Sequence, residues 1–473
     1  MTHKDKHSTA RLVLVAVLLG WSGSSDAAET ALDRYVRRPD AAYTWKVVRT
    51  LKGDGVTQYI VDLKSQSWRT EKEVSRTVWQ HWLVAVKPDK PASKTGFLFI
   101  GGGGNGNEAP AAAEARTLKI AQATQTVVAE LHMVPNQPLI FHNDGKRRTE
   151  DDLIAYTWDQ FLKTGDETWP ARLPMVKSAV RAMDCLQELM AGERGGKIEL
   201  DKFVVAGGSK RGWTTWCTAA VDKRVTAVVP IVIDVLNVND SMRHHSAVYG
   251  FYTEAVGNYF EHRIVQRRDA PRMKELLDIE DPYSYRERLT MPKFIVNAAG
   301  DQYFCPDSSR FYFDDLKREK HLCYVPNADH SLRGSDALES ILAFYQMVLA
   351  DKNRPKYSWA FEKDGSIRVR AKTAPKQVLL WQATNPKARD FRLLTIGKAY
   401  KSKPLTRIDE GMYEAKIDAP KEGWSAFFVQ LIYDVGGVAP LKVTTAIRVL
   451  PDRLPHSDID PAAAPLEKRM QKR

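Results

Sequence analysis

Cysteine is scarce in this chain. There are four in 473 residues, Cys185, Cys217, Cys305 and Cys323, which excludes a disulfide-built scaffold, and no C-x-x-C spacing points to a zinc ribbon or a dithiol redox centre. Cys305 and Cys323 stand on either side of an expected helix, so a bridge between them is the first expectation and free buried thiols the alternative. Long apolar runs are also lacking. Leu12 to Trp21 is apolar for about 10 residues, half of the ~20 that a membrane-crossing helix needs. Lys4, Lys6 and Arg11 lead into it, and small and polar residues around Ser25-Asp26-Ala27 follow. That is the three-part pattern of a signal peptide over residues 1–27. The expectation is an exported protein, periplasmic or secreted, with no integral membrane segment after signal cleavage and no cysteine at the cleavage region to carry a lipid.

Two further absences narrow the function. The glycine run Gly101–Gly104 has no G-K-[ST] ending, so it does not read as a phosphate-cradling nucleotide loop. The chain carries a net charge of +12, but no nucleic-acid-binding motif accompanies it, and the charge is spread along the sequence apart from a basic tail, Lys468 to Arg473. Nucleic acid is therefore not an expected partner, while anionic envelope components are compatible with the balance. No cluster with metal-ligand spacing stands out: His244-His245 has only Asp240 at helical distance and reads as a solvated pair. The expectation is no metal and no organic cofactor.

What is present is a rhythm. Short strand-like runs, Thr57 to Leu63 and Val78 to Val86, give way to a continuous apolar strand, Gly96 to Ile100, that ends in the glycine run. Strands at Thr126 to Leu131, Phe203 to Ala206, Val225 to Val232, Phe294 to Ala298 and His321 to Val325 then alternate with helices. These include an apolar stripe on Val176, Val180, Met183, Leu186 and Met190, a helix near Ser309 to Lys317, and a closing helix from Ser335 to Ala350. Such alternation predicts a mostly parallel sheet flanked by helices, an α/β domain over residues 28–354. Residues 238–292 interrupt it as a helical cap insertion over the carboxyl edge of the sheet. From Pro355 the period falls to two, which predicts a separate C-terminal β-sandwich of immunoglobulin or fibronectin type over residues 355–453, followed by a basic, disordered tail at 454–473.

Chemistry concentrates just past the strand ends. Gly207-Gly208-Ser209-Lys210-Arg211-Gly212 follows a strand and opens a helix, and it reads G-x-S-x-x-G, one residue longer than the usual serine elbow, with Arg211 where a glycine is customary. Ala299-Gly300-Asp301 follows one later strand and Ala328-Asp329-His330 the next. The chain order is therefore Ser209, Asp301, His330, that of a hydrolase triad. A serine hydroxyl is a weak nucleophile until a histidine takes its proton, and the histidine needs a carboxylate to hold its tautomer. Asp234, after the strand Val225 to Val232, is an alternative acid. The backbone amide of Lys210 and amides at Gly102 and Gly103 are placed to act as oxyanion donors or substrate-binding groups. Lys210 and Arg211 read either as solvated helix-start residues or as charge offered to an anionic substrate, Trp213 and Trp216 as helix packing.

The stretches Gly207 to Trp216, Pro230 to Asn237, Asp301-Gln302-Tyr303-Phe304 and Asp329-His330-Ser331-Leu332 resemble the PhoPQ-activated pathogenicity-related protein family over roughly residues 30 to 450. The resemblance implies an α/β-hydrolase core, export to the envelope and a role in bacterial stress or virulence, without a defined substrate. The elbow alone also resembles glucuronoyl-type carbohydrate esterases, in which a basic residue follows the serine and the acid can come from the earlier strand. The function expected is serine hydrolysis of a small-molecule or polymer ester or amide; a non-catalytic binding or signalling protein on the same fold is the alternative.

Overall fold

The computed structural model describes Met1 and residues 29–468; the expected signal segment and the last residues of the basic tail lie outside the described residues. Three antiparallel strands come first, β1 (Thr44–Gly53), β2 (Val56–Ser67) and β3 (Val78–Pro88). They are followed by β4 (Thr95–Ile100), β5 (Val128–Leu131), β6 (Lys202–Gly208), β7 (Val225–Ile231), β8 (Lys293–Ala298) and β9 (Lys320–Val325). The sheet order is β1-β2-β3-β5-β4-β6-β7-β8-β9, and every pairing from β5 through β9 is parallel. Parallel strands need crossovers, and helices supply them. The small α1 (Ala31–Arg37) precedes β1, and the larger helices are α2 (Ala115–Thr124), α3 (Glu150–Thr164), α4 (Arg172–Ala191) and α5 (Lys210–Val221), with α9 (Ala337–Leu349) after β9. Strands β6 to β8 read as unbroken apolar runs because helices cover both faces: Val204, Val205, Val228, Ile295 and Val296 are all fully buried. This is the α/β-hydrolase fold.

Between β7 and β8 lie α6 (Val238–Tyr249), α7 (Gly257–Glu261) and α8 (Pro271–Glu280), with single helical turns among them. They form the cap. The histidines expected to be solvated there are buried. His244 Nε2 lies 2.9 Å from Asp307 Oδ1, and His245 Nε2 accepts the Thr253 amide at 3.1 Å.

Other expectations change as well. The helix expected near Ser309 to Lys317 is one 3-10 turn, Ser308–Phe311. The Lys320 ammonium donates to the carbonyls of Phe313, Asp314 and Leu316 at 2.6, 2.8 and 2.9 Å, taking acceptors that a continuing helix would use. Cys305 and Cys323 are not bridged; all four thiols are free and buried.

The expected C-terminal sandwich is present as two sheets but is not separate. Its larger sheet, Leu441–Thr444, Trp424–Tyr433, Gln377–Asn385 and Lys401–Pro404, continues the main sheet from β9 through the pairing of Thr444 with Leu322. The Thr444 hydroxyl also accepts the Tyr324 amide at 3.0 Å. Apolar residues of both parts, among them Val296, Phe344, Val369 and Val429, share one core.

Nor is the tail disordered where it is described. Tyr252 donates its amide to Pro465 and its carbonyl accepts from Glu467, each at 2.7 Å, while Arg392 pairs with Glu467 at 2.8 Å. Ala464 is buried against Tyr252, Val256 and Val265 of the cap. These apolar and ion-pair contacts outweigh the low-complexity look of the segment.

Candidate active site

Ser209 sits where β6 hands over to α5, at the N-terminal cap position of that helix. Its backbone is at φ 57° and ψ −127°, a conformation that costs a non-glycine residue about 1–3 kcal/mol and clusters at functional turns. The turn is held from both sides: the Ser209 amide donates to Ile231 O at 2.8 Å and its carbonyl accepts from Trp213 at 3.0 Å. The glycine spacing has a steric cause. A Cβ on Gly207 would lie 2.6 Å from Arg211 O, and one on Gly212 would lie 2.8 Å from Gly207 O. Helix α5 therefore crosses β6 at backbone contact, and the second glycine belongs three residues after the serine.

Arg211, anomalous in the motif, explains itself through its side chain. Its guanidinium forms a two-pronged pair with Glu150 at 2.6 and 2.7 Å and donates to Val134 O. It also lies against Gly102, where a Cβ would come within 2.9 Å of Arg211 Nη2. Arg211 thus ties the elbow to the glycine run, which is further fixed by Gly101 donating to Leu131 O at 2.7 Å and Gly102 O accepting from Met133 at 2.7 Å. Gly103 takes φ +121°, open to glycine and strained for other residues. Lys210 is buried, its ammonium 2.9 Å from Glu150 and 3.3 Å from Asp151. Its charge is committed to those carboxylates, against the reading that it is offered to an anionic substrate.

Burial pushes the Glu150 carboxyl up, but hydrogen bonds from Arg211 and the charges of Lys210 and Arg211 outweigh it and hold it at about 2. A carboxyl so depressed stabilises the fold above its ordinary value near 4.5, and that contribution is lost as pH falls from there toward 2. Glu150→Gln is expected to lower Tm at pH 7 by about 2–4 °C, with the gap to wild type closing as melts are repeated from pH 5 down to pH 3. A gap independent of pH would show that the charge is not what holds the elbow.

The other two triad candidates meet directly. His330 Nδ1 lies 2.8 Å from Asp301 Oδ2. The carboxylate is itself oriented by the Tyr303 amide, which donates to Asp301 Oδ1 at 2.7 Å, and the His330 amide donates to Gln302 Oε1 at 3.2 Å. A proton on Nδ1 held by the carboxylate leaves the lone pair on Nε2. That atom is buried and has no hydrogen-bond partner among the described residues; catalytic hydrogen bonds are often formed only once substrate is bound. The acid loop is braced from the C-terminal sheets: Leu393 donates its amide to Gly300 O at 2.9 Å, and a Cβ on Gly300 would lie 2.9 Å from Leu393 N.

Asp234 is turned elsewhere. It accepts the hydroxyls of Tyr312 and Tyr324, each at 2.6 Å, in a fully enclosed setting. Burial pushes its carboxyl up to about 7 against the pull of those two hydrogen bonds, and the nearby Asp301 charge adds to the rise.

Ser209 opens into a cavity of about 90 Å³ whose walls include Trp158, Trp213, Tyr303 and Phe304. The Tyr303 ring lies 4.3 Å from the His330 ring, centroid to centroid. Trp216 is pure packing, fully buried, whereas Trp213 both packs and lines the cavity. Glu150, Asp151 and Arg172 escaped sequence reasoning because nothing local marks them, and Tyr303 was met only within the stretch that carries the family resemblance; the acidic start of α3, Glu150-Asp151-Asp152, is visible as a helix signal. Away from the serine, Glu114, Glu130 and His132 bring ligand atoms within 4.8 Å of one another, but Arg116 already pairs with both carboxylates.

Comparison with known proteins adds the lineage. The model of the PhoPQ-activated pathogenicity-related protein family matches residues 32–392. The chain belongs to that family. It is also similar to autocrine proliferation repressor protein A of Dictyostelium discoideum, 36% identical over 455 residues that cover 90% of this chain and 91% of that protein. Among solved structures it is similar to acetyl xylan esterase 1 from Thermoanaerobacterium sp. JW/SL YS485, with 16% identity, a TM-score of 0.46, and coverage of 67% of this chain and 92% of that one. A glucuronoyl esterase from Solibacter usitatus gives 14% identity, a TM-score of 0.41, and coverage of 67% and 91%. No helix among the described residues is long and apolar enough to cross a membrane.

Proposed function

We propose that this family member is an exported serine hydrolase that cleaves a carboxylic ester or amide through an acyl-enzyme. The observation that carries the reading is the His330–Asp301 pair beside a cavity that holds a serine in strained elbow geometry at a helix N-terminus. His330 Nε2 takes the Ser209 Oγ proton as oxygen attacks the substrate carbonyl. The Lys210 amide, at the positive end of α5, and an amide of Gly102 or Gly103 receive the developing oxyanion. His330 returns its proton to the leaving oxygen or nitrogen, and Asp301 stabilises the imidazolium in between. Water, activated by the same histidine, then releases the acid. Each step uses only side chains, backbone amides and water. Export rests on the Lys4 to Ala27 pattern, and a role in envelope stress or virulence rests on the family description.

The test is an intact-mass measurement after exposure to a fluorophosphonate, on wild type and Ser209→Ala. One adduct on the wild type alone is expected. A second reading, a signalling protein on a hydrolase scaffold, draws on the name of the Dictyostelium relative, a proliferation repressor similar over 90% of this chain; no adduct on either protein would favour it.

A further inference from the structure

The cavity beside Ser209 differs from a sugar site in what its walls have left to offer. Trp158 and Trp213 come from α3 and α5, Ile233 from the segment after β7, and Met242, Val256 and Val265 from the cap. The charged groups that also border it are engaged with one another. Asp151 accepts the Tyr259 hydroxyl at 3.2 Å and pairs with Lys210, and Arg172 is held by Glu280 at 3.2 Å and by Lys210 O at 2.6 Å. Of the buried polar atoms in its walls, Arg172 Nη2 and Trp158 Nε1 are left without a partner, two donors and no free acceptor, too small a set to replace the water around a polyol. A hydroxyl buried without a partner is costly, whereas apolar walls favour hydrocarbon.

Position decides which part of the substrate enters. A leaving group must lie against His330 to receive its proton, and His330 is not among the residues lining the cavity. The Tyr303 ring packs on the His330 ring and also lines the cavity. A pocket that touches the serine and not the histidine suits the acyl group better than the leaving group. Its volume of about 90 Å³ is smaller than the ~150 Å³ of a cavity that holds one benzene, room for a few carbon-sized groups.

We propose that this cavity is an acyl pocket for a short aliphatic acyl group of about three to five carbons, with Val256 and Val265 of the cap setting the length limit. The proposal rests on the serine hydrolase reading above. Ala464 of the C-terminal segment packs behind both valines, so the limit is braced from outside.

The experiment uses the purified chain with p-nitrophenyl esters from acetate to decanoate, with butyrate esters of methanol through octanol, and with methyl, butyl and octyl fluorophosphonates. On wild type, kcat/KM is expected to rise about fourfold or more per methylene from acetyl to butyryl and to fall about tenfold or more by octanoyl, with little dependence on alcohol length. Val256→Phe and, from a second wall, Ile233→Phe each shift the optimum to acetyl while the methyl phosphonate still marks Ser209; a thermal melt of each variant confirms its folding. Adducts that form with a flat acyl profile, an optimum at decanoyl, or a dependence on alcohol length alone would overturn the pocket and leave the serine mechanism standing. Wild type that takes no phosphonate would overturn both.

Discussion

Ser209→Ala is expected to lower kcat by about 10³- to 10⁶-fold with little change in KM. In the proposed mechanism the hydroxyl oxygen bonds to the acyl carbon, so its removal leaves only the oxyanion donors and binding, whose residual effect keeps the rate above that in water. Stability should change little. The Ser209 side chain makes no capping bond to its helix, and alanine in the same left-handed backbone carries the same Cβ strain. The measurement is steady-state hydrolysis of a p-nitrophenyl ester beside a thermal melt. Hydrolysis at the wild-type rate by folded Ser209→Ala would remove the serine mechanism.

Asp301→Asn and Asp234→Asn should separate cleanly, although both carboxylates follow strands of the same sheet. Asp301→Asn is expected to lower kcat about 10³- to 10⁴-fold, because an amide facing His330 Nδ1 favours the tautomer whose proton sits on Nε2, the atom proposed to act as base. Asp234→Asn should cost less than about tenfold, since that carboxylate meets Tyr312 and Tyr324 and not the imidazole.

Its signature is in stability. The Asp234 carboxyl is raised from 3.8 to about 7 by burial, so between those values the folded chain holds a proton that the unfolded chain has released. Stability from this group is fully present below pH 3.8 and is lost as pH rises through about 7. Denaturant unfolding at pH 4.5, 6, 7 and 8 should show wild type losing stability across the series relative to Asp234→Asn, whose amide does not titrate. Parallel curves would mean that the carboxyl is not raised; a large rate loss in Asp234→Asn would reassign the acid.

Much of the fold was legible because its signals are local. Apolar runs such as Gly96 to Ile100 and Phe294 to Ala298 report strands buried on both faces, and each occurs as β4 and β8. The stripe from Val176 to Met190 reports a helix at three- and four-residue spacing, and α4 contains it. The helix expected around Ser309 failed for the opposite reason. Its composition suits a helix, but Lys320, on the next strand, takes its carbonyls.

By itself the sequence determined the alternation of strands and helices and the order of Ser209, Asp301 and His330 past the ends of β6, β8 and β9, since periodicity, glycine placement and turn chemistry act within a few residues. Tertiary structure alone decided that His330 faces Asp301 while Asp234 faces two tyrosines, that Arg211 serves Glu150 and the glycine run, that Cys305 and Cys323 stay apart, and that the C-terminal strands extend the main sheet. Those outcomes depend on which groups, tens to hundreds of residues apart in the chain, are brought within about 3 Å, the reach of a hydrogen bond, and no local pattern encodes that distance.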